Sequence, residues 1–288
     1  MSFRNDQSAF ARRLAFKAIE IEELTDIFFF RPCGWGIARA ARVLRLTPTH
    51  LSIVRAITGI AGGALLYNES PGLLAFVLLI FSEAIDSADG QLARMTGQIT
   101  ELGRVFDGVG DYVAHGAIYI AIAAGIIHRG GNSSVLVWML LAGLSNAIQS
   151  QMYDYHRTAY VTVVSEGRAP GNDPTEVPPW IRWLYSGYLM MQRWLIGPHE
   201  KVEAALAARS VGGRVREEDR RRYRECFYRP VHGWNILGSN TGLYVLGILM
   251  WLHRVDLFLI FMLVPMNLAL IALRFWQRSA DRKFLAGL

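Results

Sequence analysis

Four aspartates set inside sequence that otherwise reads as membrane-spanning constrain this chain more than any other feature. Residues 86–111 run Asp86-Ser-Ala-Asp89-Gly90-Gln-Leu-Ala93-Arg94, then eight residues, then Gly103-Arg-Val-Phe-Asp107-Gly-Val-Gly-Asp111, with apolar stretches directly beside them. Ionisable groups at membrane depth are costly and face a polar cavity rather than lipid, so the cluster marks the functional site. If Ile80 to Arg94 form one helix, a turn of about 100° per residue places Asp86, Asp89, Gly90, Ala93 and Arg94 within an arc of roughly 140°. On the next helix Gly103, Asp107 and Asp111 recur at i, i+4 and i+8, with His115 one turn further, so a second stripe can line the same pocket.

Four neighbouring carboxylates repel one another and stay ionised only beside compensating positive charge. An all-oxygen donor set without a nearby cysteine favours a hard dication, Mg²⁺ with Mn²⁺ as a substitute, over Zn²⁺. Gly90, Gly103, Gly108 and Gly110 with Ala93 leave room for close helix approach or for a phosphate against the backbone, and Arg94 offers a planar cation to phosphate oxygens. Small residues beside a single buried Asp are ordinary in packed membrane helices. That ordinary reading leaves four acids and an arginine in one pattern without a reason.

The chain has 288 residues, 52% of them hydrophobic, and a positive mean hydropathy of +0.23. That length and composition suit one membrane domain. Apolar runs near 51–68, 72–93, 105–127, 133–153, 236–253 and 256–274 each approach the roughly 20 residues of a spanning helix, which predicts an all-α bundle of six transmembrane helices. The second and third runs reach full length only by including part of the acidic motif. Four regions follow: an N-terminal region at 1–47, helices 1–4 with the motif at 48–156, an insertion at 157–233, and helices 5–6 with a basic tail at 234–288. Basic residues concentrate in the N-terminal region, in 157–232 and in the tail, which places these and the motif end in the cytoplasm.

Early Arg4, Arg12, Arg13 and Lys17 are followed by Glu20, Glu22, Glu23 and Asp26 rather than by an apolar stretch, so no cleavable signal is expected. Phe10, Leu14, Ile21 and Leu24 share one helical face, which predicts an amphipathic helix lying in the interface. The insertion carries Gly171, Pro174, Pro178 and Pro179 and then an aromatic-rich stretch from Trp180 to Leu195. That composition predicts a re-entrant or interfacial helix over 178–197. The net charge is +6, but Glu217, Glu218 and Asp219 interrupt the basic run Arg214 to Arg224. Anionic lipid headgroups explain that run better than nucleic acid, and no nucleic-acid partner is expected. Cys33 and Cys226 both fall on the cytoplasmic side, where disulfides rarely persist, and neither is read as catalytic.

The pattern Asp86-x2-Asp89-Gly90-x2-Ala93-Arg94-x8-Gly103-x3-Asp107-x3-Asp111 resembles the signature of the CDP-alcohol phosphotransferases, class I, at all eight of its fixed positions. The resemblance implies an integral membrane enzyme that moves a phospho-alcohol from a CDP-linked donor to an acceptor hydroxyl and releases CMP. It implies Asp86, Asp89, Asp107 and Asp111 as ligands of two Mg²⁺ ions and Asp111 also as general base. Gly90, Ala93, Arg94 and Gly103 become substrate-binding residues, and the protein a homodimer. Before the first span the family usually has Pro-Asn and shortly afterwards Thr; this chain keeps Pro48 but has Thr49 and Ser52 at the other two positions.

The expected location is the bacterial inner membrane, with several spans and the site facing the cytoplasm, where CDP-linked donors are found. Arg104, His156, Arg157, Arg274 and Arg278, near the cytoplasmic span ends, favour CDP-diacylglycerol as donor and an anionic acceptor such as inositol or inositol phosphate. Transfer from CDP-choline or CDP-ethanolamine to diacylglycerol or ceramide is the alternative within the family. A Mg²⁺ channel or carrier is the alternative of another class, and Arg94 argues against it, because a cation path gains nothing from a fixed guanidinium.

Overall fold

The computed structural model describes residues 19–68, 72–98, 101–170 and 196–288, and their side chains apart from those of 19 and 101–112. Among the described residues the architecture is all-helical. Ten α-helices are used below: α1 (Arg31–Val43), α2 (Pro48–Ala64), α3 (Gly72–Thr96), α4 (Glu101–His128), α5 (Val135–Tyr160), α6 (His199–Arg209), α7 (Glu217–Trp234), α8 (Ser239–Trp251), α9 (Leu257–Leu263) and α10 (Pro265–Leu285). The chain divides into two compact units, Met1–Ser145 with Gly242–Leu263, and Asn146–Thr241 with Val264–Leu288.

Helices occur at each of the six apolar stretches. Three segments among the described residues are long and apolar enough to cross a membrane, Pro48–Tyr67, Val135–Ser165 and Leu257–Leu285, and Val113–His128 is a shorter apolar helical stretch. α3 has 25 residues, a rise of roughly 37 Å against a hydrocarbon core of about 30 Å. Glu83, Asp86, Asp89 and Arg94 on that helix keep it out of the apolar set.

In the first unit α2 packs against both α3 and α4, and α1 packs against α3. Glycines on α2 make the first contacts possible. A Cβ on Gly59 would lie 2.9 Å from the Ala114 Cβ, and one on Gly63 would lie 3.0 Å from the Ile118 backbone nitrogen, both on α4. On its other side a Cβ on Gly62 would meet the Ala75 carbonyl oxygen of α3 at 3.1 Å. Small residues here do what they do in membrane helix pairs generally: they let backbones approach where no apolar driving force separates protein from lipid. Gly34 on α1 serves similarly against α3, where its Cβ would sit 2.8 Å from the Ser87 Cβ.

Thr47 starts α2 with a capping box. Its hydroxyl accepts from the His50 backbone N–H and the His50 ring accepts from the Thr47 N–H, with Pro48 in the first turn. The cap satisfies two donors that the helix start would otherwise leave open.

Of the expected N-terminal amphipathic face, Ile21 and Leu24 are the residues that the structure describes. Phe10 and Leu14 lie outside the described residues. Within them Ile19–Ile21 is a single 3₁₀ turn, Ile21 is buried and Leu24 exposed, so these two do not share an apolar face. The amphipathic helix is α1, entered through a π-helical turn at Asp26–Phe30. It buries Gly34, Ala38 and Ala41 and turns Arg39, Arg42 and Val43 outward. Glu22, paired with Arg31 at 3.0 Å, ties the preceding segment to the start of this helix.

The second unit gathers the described part of the insertion, α6 and α7, against α10. Its centre is polar yet closed. His199 is fully buried; its Nδ1 lies 2.7 Å from Asp281 Oδ1 and its Nε2 lies 3.2 Å from the Tyr223 hydroxyl. Gln277 donates to Asp281 Oδ1 at 3.2 Å and accepts from the Trp234 indole N–H at 3.1 Å. The Asp219 carboxylate, buried at the start of α7, takes a two-pronged contact from Arg209 at 3.0 and 3.1 Å. Burial pushes the Tyr223 hydroxyl well above its ordinary pKa, so it is a neutral hydrogen-bonding group. The expected re-entrant helix at 178–197 lies outside the described residues except at 196 and 197.

Candidate active site

α3 carries the first half of the motif, and its acids meet α2. Arg55 Nη1 lies 2.6 Å from Asp86 Oδ1; the arginine side chain is buried and the aspartate side chain 40% exposed. One turn along both helices, Ser52 donates its hydroxyl to Asp89 Oδ2 at 3.1 Å. Asp89 itself is buried. Ser82 of α3 donates to the Arg55 backbone carbonyl at 3.0 Å, which ties the arginine's own backbone to α3. Two residues of α2 spaced by three thus hold two acids of α3 spaced by three, as facing helix stripes require.

Gly90 follows Asp89, and a Cβ there would lie 3.3 Å from Arg94 Nη1, so the glycine makes room for the guanidinium. Arg94 Nε and Nη2 are buried and have no hydrogen-bond partner among the described residues. Glu22, Arg31 and Asp89 are its charged neighbours. Two nitrogens of a planar cation without partners among the described residues are costly to bury, and a guanidinium in that state can accept an anion. Ala93 is half-buried beside it.

The second half of the motif is on α4, one continuous helix from Glu101 to His128. Gly103, Asp107 and Asp111 fall on it at four-residue spacing, as the stripe requires; their side chains are outside the described residues. His115, one turn beyond, is half-buried and has Arg55 as a charged neighbour.

Among the described residues there is no group of three or more His, Cys, Asp or Glu side chains set to hold a metal; Asp107 and Asp111 are outside that count. The donor chemistry present fits a hard dication: two carboxylates one turn apart, no sulfur, and one of them open enough to be reached.

Ser52 and Arg55 are absent from the motif and were not among the expected site residues. Their signal was an arginine inside an apolar run, three residues after the hydroxyl that stands where the family has Thr. His156 moves the other way. It is buried in the second unit and stacked on Trp234 with ring centroids 4.5 Å apart, so it packs rather than meets an acceptor. Cys33 and Cys226 are both free thiols, and burial pushes the Cys226 thiol up, away from the reactive thiolate.

Acids of one helix clamped by its neighbour, a glycine-spaced guanidinium beside them and apolar helices around them make up an all-helical domain of membrane type. Residues 45–175 match the family model for CDP-alcohol phosphatidyltransferase. The chain is also similar to the phosphatidylinositol phosphate synthase of Corynebacterium glutamicum, 29% identical over 119 residues, which are 41% of this chain and 53% of the relative. It thus spans about half the length of that curated relative. No solved structure gives a significant match.

Proposed function

We propose that the protein is a phospholipid-biosynthetic phosphotransferase that moves a phospho-alcohol from a CDP-linked donor, CDP-diacylglycerol, to the hydroxyl of a polar acceptor such as inositol or inositol phosphate and releases CMP. The observation that carries this reading is Arg94, two of whose nitrogens have no partner among the described residues and which lies five residues beyond Asp89 on the helix that also bears Asp86. A site for a diphosphate needs both signs of charge in this order, and a cation path does not. The similarity to a phosphatidylinositol phosphate synthase favours the lipid donor and the inositol-type acceptor.

In this reading Asp86, Asp89, Asp107 and Asp111 would hold two Mg²⁺ ions, with Mn²⁺ as substitute. Bound there, the ions neutralise the donor diphosphate and stabilise the leaving CMP oxygen. Arg94, with Gly90, Ala93 and Gly103 keeping space around it, grips the diphosphate. Asp111 takes the acceptor proton. Six spans place the motif end in the cytoplasm of a bacterial inner membrane, and two copies form a dimer. The four-region division at 47, 156 and 233 belongs to the same proposal.

The test offers purified full-length protein CDP-diacylglycerol with a panel of polar alcohols, then CDP-choline and CDP-ethanolamine with diacylglycerol or ceramide, each with Mg²⁺ and with EDTA. Mg²⁺-dependent CMP release with an inositol-type acceptor is expected. Release only from the soluble donors reassigns the substrates, and metal flux in proteoliposomes without any CMP overturns the reading.

A further inference from the structure

Arg55 is a cation buried within a helix that is apolar enough to cross a membrane. A charge at such depth persists only when paired. A described ion-pair partner is the motif acid Asp86, at 2.6 Å, and the titratable groups near it include Glu83 on the same helix as Asp86 and His115 on α4. The arginine therefore stands at a junction of α2 with both helices that carry the motif. Its backbone carbonyl accepts from Ser82, so neither the main chain nor the side chain is placed by chance.

We infer that Arg55 is a resident counter-ion for Asp86: a positioning residue that holds the carboxylate in place before a divalent cation arrives and then lowers that cation's affinity. The inference deepens the proposed function and rests on its reading of Asp86 as a metal ligand. The physical reasoning is direct. Neighbouring carboxylates without a cation repel one another, and a guanidinium built into the fold relieves that repulsion. A dication held by the same carboxylate is then close to a fixed positive charge, and the two repel more strongly than they would in water because the arginine is buried. Such an arrangement suits a site whose cations must bridge a donor and let the nucleotide product go. Ser52 on Asp89 orients its acid without charge and so does not oppose a cation in this way.

The experiment measures Mn²⁺ binding by electron paramagnetic resonance on the purified, EDTA-stripped full chain in detergent, without donor or acceptor. Removing the charge with Arg55→Gln is expected to tighten Mn²⁺ binding by about tenfold or more. The same variant should unfold at lower temperature in EDTA and regain stability when saturated with Mn²⁺. Arg55→Lys, which keeps the charge and loses the fork, should bind Mn²⁺ within about threefold of the parent. That variant also carries the test if Arg55→Gln does not fold. Unchanged or weaker Mn²⁺ binding in Arg55→Gln overturns the inference, as does a change beyond about tenfold in Arg55→Lys. If the parent protein binds no Mn²⁺, the reading of Asp86 as a metal ligand fails instead, and the inference falls with it.

Discussion

Both units of the molecule bury charge, and they do so to opposite ends. In the second unit the His199, Asp281, Tyr223, Gln277 and Trp234 side chains link into one network in which every ring and amide finds a partner, and Asp281 Oδ2 is the atom left without one among the described residues. In the first, Asp86 is paired but 40% exposed, while Arg94 leaves two buried nitrogens without partners among the described residues. A network whose groups pair with one another rigidifies. The comparison teaches that neither buried charge nor one unpaired atom marks a candidate site by itself, since Asp281 has both; what sets the first unit apart is a carboxylate that stays reachable, Asp86, on the same helix as the unpaired guanidinium.

The sharpest way to break this contrast is within the motif. Asp107→Asn or Asp111→Asn should reduce CMP release by about a thousandfold or more while the protein still inserts and purifies as a single species, because each removes a charge needed only by the reacting complex. Near-wild-type release from either would remove the assignment. Arg94→Met should lower CMP release by roughly a hundredfold, with its melting temperature held or raised, since the parent residue gains nothing from its unfilled nitrogens.

The closed network should respond the other way. Asp281→Ala leaves His199 without its closest partner and should cost about 3 kcal/mol of stability, read as a lower thermal midpoint in detergent. A midpoint unchanged by that substitution would mean that the network does not hold the second unit together. Gly63→Ala presses a methyl against the Ile118 backbone at 3.0 Å and should cost about 1–3 kcal/mol, since backbone cannot step aside as a side-chain end can. At the small end, Arg254→Ala removes an exposed pair with Asp256 and should shift stability by about 0.5 kcal/mol or less.

Much of this was legible from residue order. Helical spacing predicted that Asp86, Asp89, Gly90 and Arg94 share one face of α3, and the apolar runs anticipated helices at all six places. Glycines at 59, 62 and 63 were simply part of an apolar run until α3 and α4 were seen against them. At the N-terminus the periodicity that put Ile21 and Leu24 on one face ignores Glu22, whose pairing with Arg31 belongs to the start of the next helix. His156 looked like an exposed cation at a span end because nothing local shows that Trp234, 78 residues away, lies flat on its ring.

The sequence alone determined the all-helical class, the apolar stretches and the acidic stripe, because each follows from a period that neighbouring residues carry among themselves. Only the tertiary structure decided that Arg55 and Ser52 clamp the first two aspartates, that two Arg94 nitrogens have no partner among the described residues, that His156 packs on Trp234, and that His199 is held by Asp281 and Tyr223. Those outcomes depend on which helix lies beside which, and on distances between side chains far apart in the chain, where burial and pairing set the energy of a charge.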